Sequence, residues 1–298
     1  MNWLKKTVGD AEAPQFSIID ILKKNIGGFR EARSRAKVHA SDSTKPGFCP
    51  RQWALMEKLK IEQKDEYVGT ALGATFDVGN AVEGLLVNRW AATHLVGRWK
   101  CETCGNTTGK TNHLVKRPGN GCEAQGNCRW KYQQVSFESQ DSGVIGSPDA
   151  IFDLGAQKYF LAECKIMKVE DFNDLMAPLP EHRIRTTLYM RLVAESGNPL
   201  KSQVSANHAK ILYVSRGYGK KNLVEGAILP FKEYTVFRDD SVTVPVLAKA
   251  KQVKTFREFG KIPSGICATA LDVKAKACQV CKQCFSGDFP AEQPILPK

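Results

Sequence analysis

Cysteine constrains the folding of this chain more than any other residue type. Ten cysteines are present, and eight of them fall into two groups, while Cys49 and Cys164 stand alone. A chain of 298 residues can bury a large hydrophobic core and needs no disulfide cross-links. No apolar run follows the lysines near the N-terminus, so we expect the protein to stay in the cytoplasm of the cell that makes it. In that reducing compartment, clustered thiols are expected to bind metals.

The first cysteine group has the spacing of a zinc ribbon. Two short knuckles are separated by a loop, in the pattern Cys101-x2-Cys104-x17-Cys122-x5-Cys128. Four thiolates in this arrangement form a closed tetrahedral zinc site. The surrounding segment, 99–130, has no helical or strand periodicity, so we predict a zinc-ribbon-like insertion that the metal orders. Its basic residues favour contact with nucleic acid, and a metal pin that merely orders the insertion fits equally well.

The second cysteine group lies near the C-terminus. Its core is Cys278-x2-Cys281-x2-Cys284, the close spacing of ferredoxin-type iron-sulfur clusters, which take a further thiolate from elsewhere in the chain. Cys267 and the distant Cys49 are both candidates for that ligand. Cysteine type and spacing do not separate iron from zinc, so a zinc site that uses Cys267 is the alternative. If Cys49 is the ligand, the metal staples the C-terminal segment to an early part of the fold.

The charge balance favours a polyanionic partner. Lysine and arginine number 43 against 31 aspartate and glutamate residues, which gives a formal net charge of +12. Nucleic acid is the commonest polyanion that such a protein meets. The sequence has no run of about 18 uncharged apolar residues, so we expect no membrane partner.

Hydrophobic periodicity predicts helices before and after a group of strands. Helices are expected at 17–29, 49–60, 69–94, 181–195 and 244–259, and strands at 132–138, 143–153, 159–166, 210–215 and 232–238. This order is typical of an α/β or α+β layered domain. We divide the chain into an N-terminal helix with a basic loop (1–46), a helical part (47–98), the insertion (99–130), a core (131–260) and a cysteine-rich C-terminal segment (261–298).

Two acids and a lysine carry the chemistry of the predicted core. Glu163 and Lys165 are two residues apart on one predicted strand and share a face, while Cys164 points to the other side. Asp149 lies on the preceding strand of a predicted hairpin, where its carboxylate can meet that of Glu163. Carboxylates placed in this way suit Mg²⁺ or Mn²⁺, and Glu83 is a further candidate ligand. The metal would activate water for phosphodiester hydrolysis and Lys165 would position that water, unless these charges simply face solvent in an ordinary hairpin.

These residues resemble the motifs of the PD-(D/E)XK nucleases, in particular the RecB-like and CRISPR-associated exonucleases. Asp149 with Glu163-Cys164-Lys165 is similar to the defining motif, and the segment from Gly79 to Glu83 resembles a helical Gly-x3-(His/Glu) motif. The resemblance implies a restriction-endonuclease-like α/β core, in which a central mixed sheet is flanked by helices. The zinc-ribbon-like insertion and the cysteine-rich metal staple would be additions to that core.

A third segment strengthens the resemblance. The stretch 180–190 is similar to the family's Gln-x3-Tyr motif, with Tyr189 retained and Arg185 in the place of the glutamine. An arginine at that position can contact a phosphate. His182, Arg185 and Tyr189 lie on one face of the predicted helix.

The resemblance implies an activity and the residues that perform it. The activity is a metal-dependent DNA exonuclease that works in DNA processing, recombination or repair. The implied catalytic residues are Glu83, Asp149, Glu163, Lys165 and Tyr189, of which Asp149, Glu163 and Glu83 bind Mg²⁺ or Mn²⁺, while His182 and Arg185 bind substrate. The implied ligands of a 4Fe-4S cluster are Cys49, Cys278, Cys281 and Cys284, with Cys267 as the alternative ligand and zinc as the alternative metal.

The resemblance also suggests partners. DNA is the implied partner, and domains of this family often work with a helicase or with recombination or replication proteins. A free-standing chain would suit a bacteriophage enzyme that acts in the host cytoplasm. A second class of function stays open, namely a non-catalytic, metal-stapled nucleic-acid-binding or assembly protein on a degenerate nuclease fold, and the missing glutamine supports it.

Overall fold

The computed structural model describes residues 26, 28–30, 34–62, 66–108, 114–119, 128–156, 158–217 and 230–290. The chain divides into two units. The first comprises Met1–Arg33 and Gln63–Asn80, and the second comprises Ser34–Glu62 and Ala81–Lys298. No helix among the described residues has the length and apolar character needed to cross a bilayer.

The helices and strands occur in groups along the chain, and within the described residues the strands from 96 to 167 follow one another without an intervening helix. The helices are Ala40–Ser43 (α1), Pro50–Lys58 (α2), Thr70–Leu85 (α3), Val169–Asp174 (α4), Pro180–Glu195 (α5), Asp240–Phe259 (α6), Val273–Lys276 (α7) and Cys281–Phe285 (α8). A π-helical turn, Leu86–Trp90, continues α3, and 3₁₀ turns form at Ala92–His94 and Pro199–Ser202. The strands are Gly28–Arg30 (β1), Val38–His39 (β2), Glu66–Val68 (β3), Val96–Cys101 (β4), Thr107–Thr108 (β5), Val115–Lys116 (β6), Trp130–Gln133 (β7), Phe137–Glu138 (β8), Val144–Gly146 (β9), Ala150–Phe152 (β10), Phe160–Met167 (β11), His208–Ser215 (β12) and Phe231–Phe237 (β13).

Within its described residues, the first unit contains an antiparallel strand pair. Strand β1 pairs with β3, with Phe29 opposite Tyr67. The described residues of the second unit place the remaining strands in three further sheets. Strands β8 and β2 flank β9 in one small sheet, and β5, β6 and β7 all pair with β4 in another.

The largest sheet of the second unit has the order β10-β11-β12-β13. Strands β11 and β12 are parallel, while the two outer pairs are antiparallel, so this sheet is mixed. Residues 161–164 are all buried, which is why this stretch of β11 reads as a nearly continuous apolar run. The predicted mixed sheet flanked by helices is therefore present in the second unit.

Helix α5 lies in the middle of the hydrophobic core. Its buried residues include Leu188, Met190 and Leu192, and they pack with residues of β9, β11 and β12. The helix comes so close to the small sheet that a Cβ at Gly146 would lie 2.8 Å from the Tyr189 ring. Only glycine fits there without displacing a buried side chain.

Most of the predicted elements are confirmed to within a few residues. The helices expected at 49–60, 181–195 and 244–259 correspond to α2, α5 and α6. The strands expected at 159–166, 210–215 and 232–238 correspond to β11, β12 and β13. These segments have strong local periodicity, which is the signal that sequence reasoning detects best.

Three predictions of continuous elements were wrong. The strand expected over 143–153 is split into β9 and β10 around Pro148, which has no N–H to donate to a ladder. The strand expected over 132–138 is split because β7 pairs with β4, whereas β8 pairs with β9 in another sheet. The helix expected over 69–94 gives way after Leu85 to the π turn and a separate 3₁₀ turn.

Two further expectations concern partly described segments. The helix expected over 17–29 lies mostly outside the described residues, and its last residues belong to strand β1. The insertion expected over 99–130 is not wholly irregular, because β4 extends to Cys101 and pairs with β5 through Lys100 and Thr107. Residues 109–113 and 120–127 of that insertion, including Cys122, lie outside the described residues.

Candidate active site

The strand register brings the two predicted acids together. Strands β10 and β11 pair with Ala150 opposite Ala162, and the next pair in the same antiparallel register is Asp149 with Glu163. The Asp149 carboxylate accepts a hydrogen bond of 2.7 Å from the backbone N–H of Cys164. The predicted hairpin is confirmed, and Asp149 is anchored directly to the strand that carries Glu163.

Lys165 lies on the same face of β11 as Glu163. Its Nζ atom is 2.6 Å from Glu163 Oε1 and 3.9 Å from Asp149 Oδ2. Cys164 faces the other way, into a small apolar cluster with Leu86 and Val214. The alternation predicted for this strand is therefore confirmed, and one ammonium contacts both acids.

One member of the acidic group, Glu163, is buried. Glu163 is only 1% exposed, so the interpretation that its charge faces solvent is wrong. Its second oxygen, Oε2, is buried and has no hydrogen-bond partner among the described residues. A buried carboxylate oxygen without a donor is costly, and a bound cation would satisfy it. The donor set around this atom, made of hard carboxylate oxygens, suits Mg²⁺ or Mn²⁺.

Electrostatics within the group favour additional positive charge. Burial, together with the charges of Glu163 and Glu83, raises the pKa of Asp149 well above its usual value, although Lys165 opposes this. Burial by itself would lower the pKa of Lys165, but the two adjacent carboxylates raise it overall. Lys165 therefore stays protonated, and its ammonium is fixed by its neighbours.

Glu83 reaches the group from the last turn of α3. Burial raises the pKa of Glu83. The charge of Lys165 lowers this pKa, and the charge of Glu163 raises it. Its Oε1 atom accepts a hydrogen bond of 3.1 Å from Gln134 Nε2. Within the described part of the chain, Glu83, Asp149 and Glu163 do not bring three oxygens within 4.8 Å of one another. The carboxylate oxygens near the Lys165 ammonium are therefore farther apart than they would be as ligands of one metal ion.

Helix α5 presents its three predicted site residues in different surroundings. Arg185 Nη1 lies 3.4 Å from Glu163 Oε1, so the guanidinium joins the acidic group directly. Its Nε atom is buried and has no hydrogen-bond partner among the described residues. Tyr189 packs in the core, where its ring lies against Gly146.

His182 takes part in a hydrogen-bond chain. The Tyr213 hydroxyl accepts from the Leu179 backbone N–H at 3.0 Å and lies 2.9 Å from His182 Nδ1. Burial and the nearby positive charges of Lys165 and Arg185 lower the pKa of His182 to about 4. The imidazole is therefore neutral near pH 7, and Arg185 carries the positive charge on this face of α5.

Sequence reasoning missed two residues that touch this site. Gln134 donates to Glu83, and the Tyr132 hydroxyl accepts from the backbone N–H of Ile151, two residues after Asp149. Neither residue belongs to a motif, and both lie more than 15 residues from their partners in sequence. No local pattern could have identified them.

Comparisons with known proteins give limited similarity. Neither a protein-family model nor a curated protein matches the sequence. Solved structures that are similar to the chain include the following three. The crystal structure of SSO0001 has a TM-score of 0.34 and 13% identity, over 76% of this chain and 79% of that one. An alkaline exonuclease (LHK-Exo) from Laribacter hongkongensis has a TM-score of 0.40 and 11% identity, over 74% of this chain and 88% of that one. LHK-Exo in complex with dAMP has the same TM-score and coverage, with 9% identity. Such TM-scores are too low to establish a shared fold or a shared activity.

A second group of candidate ligands surrounds a cavity near the C-terminus. Five cysteines line it, from the start of α2 and from the segment that contains α7 and α8: Cys49, Cys267, Cys278, Cys281 and Cys284. No three of these thiols lie within 4.8 Å of one another in the described structure. A single tetrahedral zinc ion, with Zn–S bonds of about 2.3 Å, would require closer sulfurs. The wider spacing leaves room for a polynuclear cluster.

Arg51 ties this cavity to α2. The guanidinium is buried and donates to Cys284 Sγ at 3.1 Å through Nε. It also donates to the backbone carbonyls of Pro263, Cys284 and Phe289. The contact between Arg51 and Cys284 therefore joins the start of α2 to the segment that carries the C-terminal cysteines.

The first cysteine group is more compact. The Sγ atoms of Cys101, Cys104 and Cys128 all lie within 4.8 Å of one another. Cys101 is fully buried at the end of β4. Cys128 is disulfide-bonded in the structure, so the expectation that no cysteine forms a disulfide is wrong at this position, and a metal would bind to the reduced form of Cys128. The fourth predicted ligand, Cys122, lies outside the described residues.

Proposed function

We propose that this protein is a metal-dependent DNA nuclease. One observation carries the proposal, namely the buried Glu163 carboxylate, which has an oxygen without a donor and lies beside Asp149, Lys165 and Arg185. A structural ion pair has no need of two adjacent carboxylates in a buried position, since their repulsion is unfavourable. A centre that binds a divalent cation does need them.

Asp149 and Glu163 would hold the cation, and Glu83 would assist them. When bound, Mg²⁺ or Mn²⁺ supplies an activated water and neutralises charge on the phosphate. The acids provide hard oxygen ligands, and the cation would lower the cost of keeping them ionised together. The resting contact between Lys165 and both acids keeps the carboxylates in place beforehand.

The remaining side chains would orient the reactants. Lys165 stays protonated, so its ammonium donates a hydrogen bond to the attacking water or to a phosphate oxygen rather than removing a proton. Arg185 offers a second cation, and its partly exposed guanidinium can contact a phosphate. His182, being neutral, would contribute a hydrogen bond and not a charge. Tyr189 would act from the core, by supporting the backbone near Gly146.

The identity of the substrate rests on charge and on the motif resemblance. A net charge of +12 favours a polyanion, and the motifs resemble those of DNA exonucleases. No residue of the site reports on a 2′-hydroxyl, so DNA rather than RNA is inferred from the resemblance. A helicase or a recombination or replication protein as partner, and the cytoplasm of a bacteriophage host as location, remain predictions of the same kind.

Two thiolate metal sites complete the proposal. The cavity of five cysteines would hold a 4Fe-4S cluster through Cys49, Cys278, Cys281 and Cys284, with Cys267 as the alternative ligand. The compact group would hold zinc through Cys101, Cys104 and Cys128, with Cys122 as the fourth ligand. A cluster in the cavity of five cysteines would join α2 to the C-terminal segment and add its binding free energy to the stability of the fold.

One observation favours a second function. Lys165 and Arg185 already contact Glu163, so two resident cations partly neutralise the acids without a metal. This is expected of a non-catalytic nucleic-acid-binding or assembly protein on a degenerate nuclease fold.

A cleavage assay separates the two functions. Purified protein is incubated with labelled linear and circular DNA in the presence of Mn²⁺, beside the variants Glu163→Gln and Lys165→Ala. Lys210→Ala serves as a matched control, because Lys210 lies on the neighbouring strand and pairs with the exposed Glu233. If the protein is a nuclease, the wild type and Lys210→Ala cleave DNA, and the other two variants do not. Equal DNA binding with no cleavage by any form favours the binding protein. Visible absorbance of a brown protein, lost in Cys281→Ala, would identify iron in place of zinc at the C-terminal site.

A further inference from the structure

One pair of strands connects the compact cysteine group with the proposed catalytic centre. Strands β4 and β7 are antiparallel, with Cys101 opposite Trp130 and Trp99 opposite Tyr132. One end of the pair carries Cys101, next to Cys104 and Cys128. The other end leads through Gln133 to Gln134, which donates a hydrogen bond to the Glu83 carboxylate.

Tyr132 fixes the backbone beside Asp149. Its buried hydroxyl donates to the Val96 carbonyl at 3.3 Å and accepts from the Ile151 N–H at 3.1 Å. The ring lies so close to β4 that a Cβ at Gly97 would come within 2.4 Å of it. A single side chain thus ties β4 to β10, the strand that begins immediately after Asp149.

Two more side chains, Asn88 and Gln134, connect β7 and the residue after it to the helix that carries Glu83. The Asn88 side chain, in the π turn after α3, accepts from the Tyr132 N–H at 2.8 Å and donates to the Gly84 carbonyl at 2.9 Å. Gln134 donates to Glu83 itself. Strand β7 therefore contacts the elements that present two of the three proposed ligand acids.

The sulfur geometry at the far end indicates a single ion. Three sulfurs within 4.8 Å of one another fit one tetrahedral centre, whereas the cysteines of the C-terminal cavity are spread more widely. The backbone N–H groups of Thr103 and Cys104 donate to the Cys101 sulfur and so help to orient it. A single metal ion bound by these three cysteine sulfurs would hold the β4 and β7 ends together.

We propose that a Zn²⁺ ion bound by the reduced Cys101, Cys104 and Cys128 is a positioning element of the nuclease centre, acting through Tyr132, Asn88 and Gln134 on Asp149 and Glu83. The coupling rests on the proposed function, because it needs a divalent-cation site at those acids. Loss of the ion removes the link that it supplies between the β4 and β7 ends. Asp149 and Glu83 are then no longer held in fixed positions, and the affinity of the site for Mn²⁺ falls by about tenfold.

The experiment measures both metals without turnover. Full-length protein is prepared under reducing conditions, and zinc is quantified by atomic spectroscopy. Mn²⁺ affinity is measured by room-temperature electron paramagnetic resonance of the free ion, with Glu163→Gln to identify the catalytic site. The variants are Cys104→Ser, which removes a zinc ligand, and Glu102→Gln, an exposed neighbour in the same knuckle that serves as the control.

We expect Cys104→Ser to lose zinc and to bind Mn²⁺ about tenfold more weakly, while Glu102→Gln keeps both metals. Gln134→Leu and Tyr132→Phe should keep zinc and still weaken Mn²⁺ binding, and excess Mn²⁺ should restore cleavage by Gln134→Leu, which a misfolded variant would not allow. These two variants test the coupling even if Cys104→Ser does not fold. A wild type without zinc, a Cys104→Ser variant that loses zinc and keeps its Mn²⁺ affinity, or unchanged Mn²⁺ affinity in both Gln134→Leu and Tyr132→Phe overturns the proposal. Zinc in a wild type that binds no Mn²⁺ overturns the proposed function, and the coupling with it, while the thiolate site stands.

Discussion

Replacing Arg51 with methionine should destabilise the fold severely. Arg51 is 6% exposed, and its guanidinium donates to one sulfur and to three backbone carbonyls more than 200 residues away in sequence. Methionine has a similar length, so little packing volume is lost, but every one of those acceptors loses its donor. A hydrogen bond to a charged group contributes about 1.5–3 kcal/mol, and removing one partner of a buried charged set costs about 3–5 kcal/mol. Because the four bonds share one side chain and the C-terminal segment is partly exposed, we expect the lower estimate of about 3–5 kcal/mol in total.

Urea denaturation of the metal-free protein, followed by tryptophan fluorescence, measures this change. With a denaturant slope of about 1–3 kcal/mol/M, the unfolding midpoint should fall by at least about 1 M. Arg183→Ala is the matched control, because Arg183 forms an exposed ion pair with Asp239, and such pairs contribute about 0–1 kcal/mol. If Arg51→Met lowers the free energy of unfolding by no more than Arg183→Ala does, the idea that Arg51 joins α2 to the C-terminal segment is refuted.

Three further predictions concern the core, the pH dependence and the site. Gly146→Ala places a Cβ 2.8 Å from Tyr189 and 2.9 Å from Leu192, so thermal denaturation should show a loss of about 1–3 kcal/mol, and a melting temperature equal to wild type would contradict this packing. The pKa of His182 is about 4 when folded and about 6.5 when unfolded, so between these values the unfolded chain binds the extra proton; the free energy of unfolding should fall as the pH drops from 6.5 to 4. Partial exposure limits this effect to the order of 1–2 kcal/mol, and it should be absent from denaturation curves of His182→Gln. Glu163→Gln should lower the cleavage rate by more than about 100-fold while DNA binding, measured by fluorescence anisotropy, changes little; retained cleavage would remove Glu163 from the site.

The sequence predicted the hairpin of the candidate site well. Alternation along the predicted strand 159–166 placed Glu163 and Lys165 on one face, and the turn before it placed Asp149 on the partner strand. Both inferences depend only on local backbone geometry and on a short connection. The same reasoning failed at Pro148, where a strand was predicted to continue, because periodicity does not report which sheet a strand joins.

Roles that depend on surroundings could not be predicted. The sequence showed His182 and Arg185 three residues apart on one helix, yet only the packing made the imidazole neutral and left the guanidinium against Glu163. Tyr189 matched a motif, but its burial against Gly146 is a property of how α5 crosses the small sheet. Burial and neighbouring charge determine these properties, and both arise from contacts distant in sequence.

The amino-acid sequence alone determined the main elements, the shared face of Glu163 and Lys165, and the presence of two separate cysteine groups. These follow from spacing, because backbone periodicity acts over a few residues. The tertiary structure decided which cysteines come close enough for one ion, which acid is buried, and which side chains support the site from other strands. Those outcomes depend on strand register and helix packing, where small displacements change burial and distance, and no pattern of neighbouring residues records them.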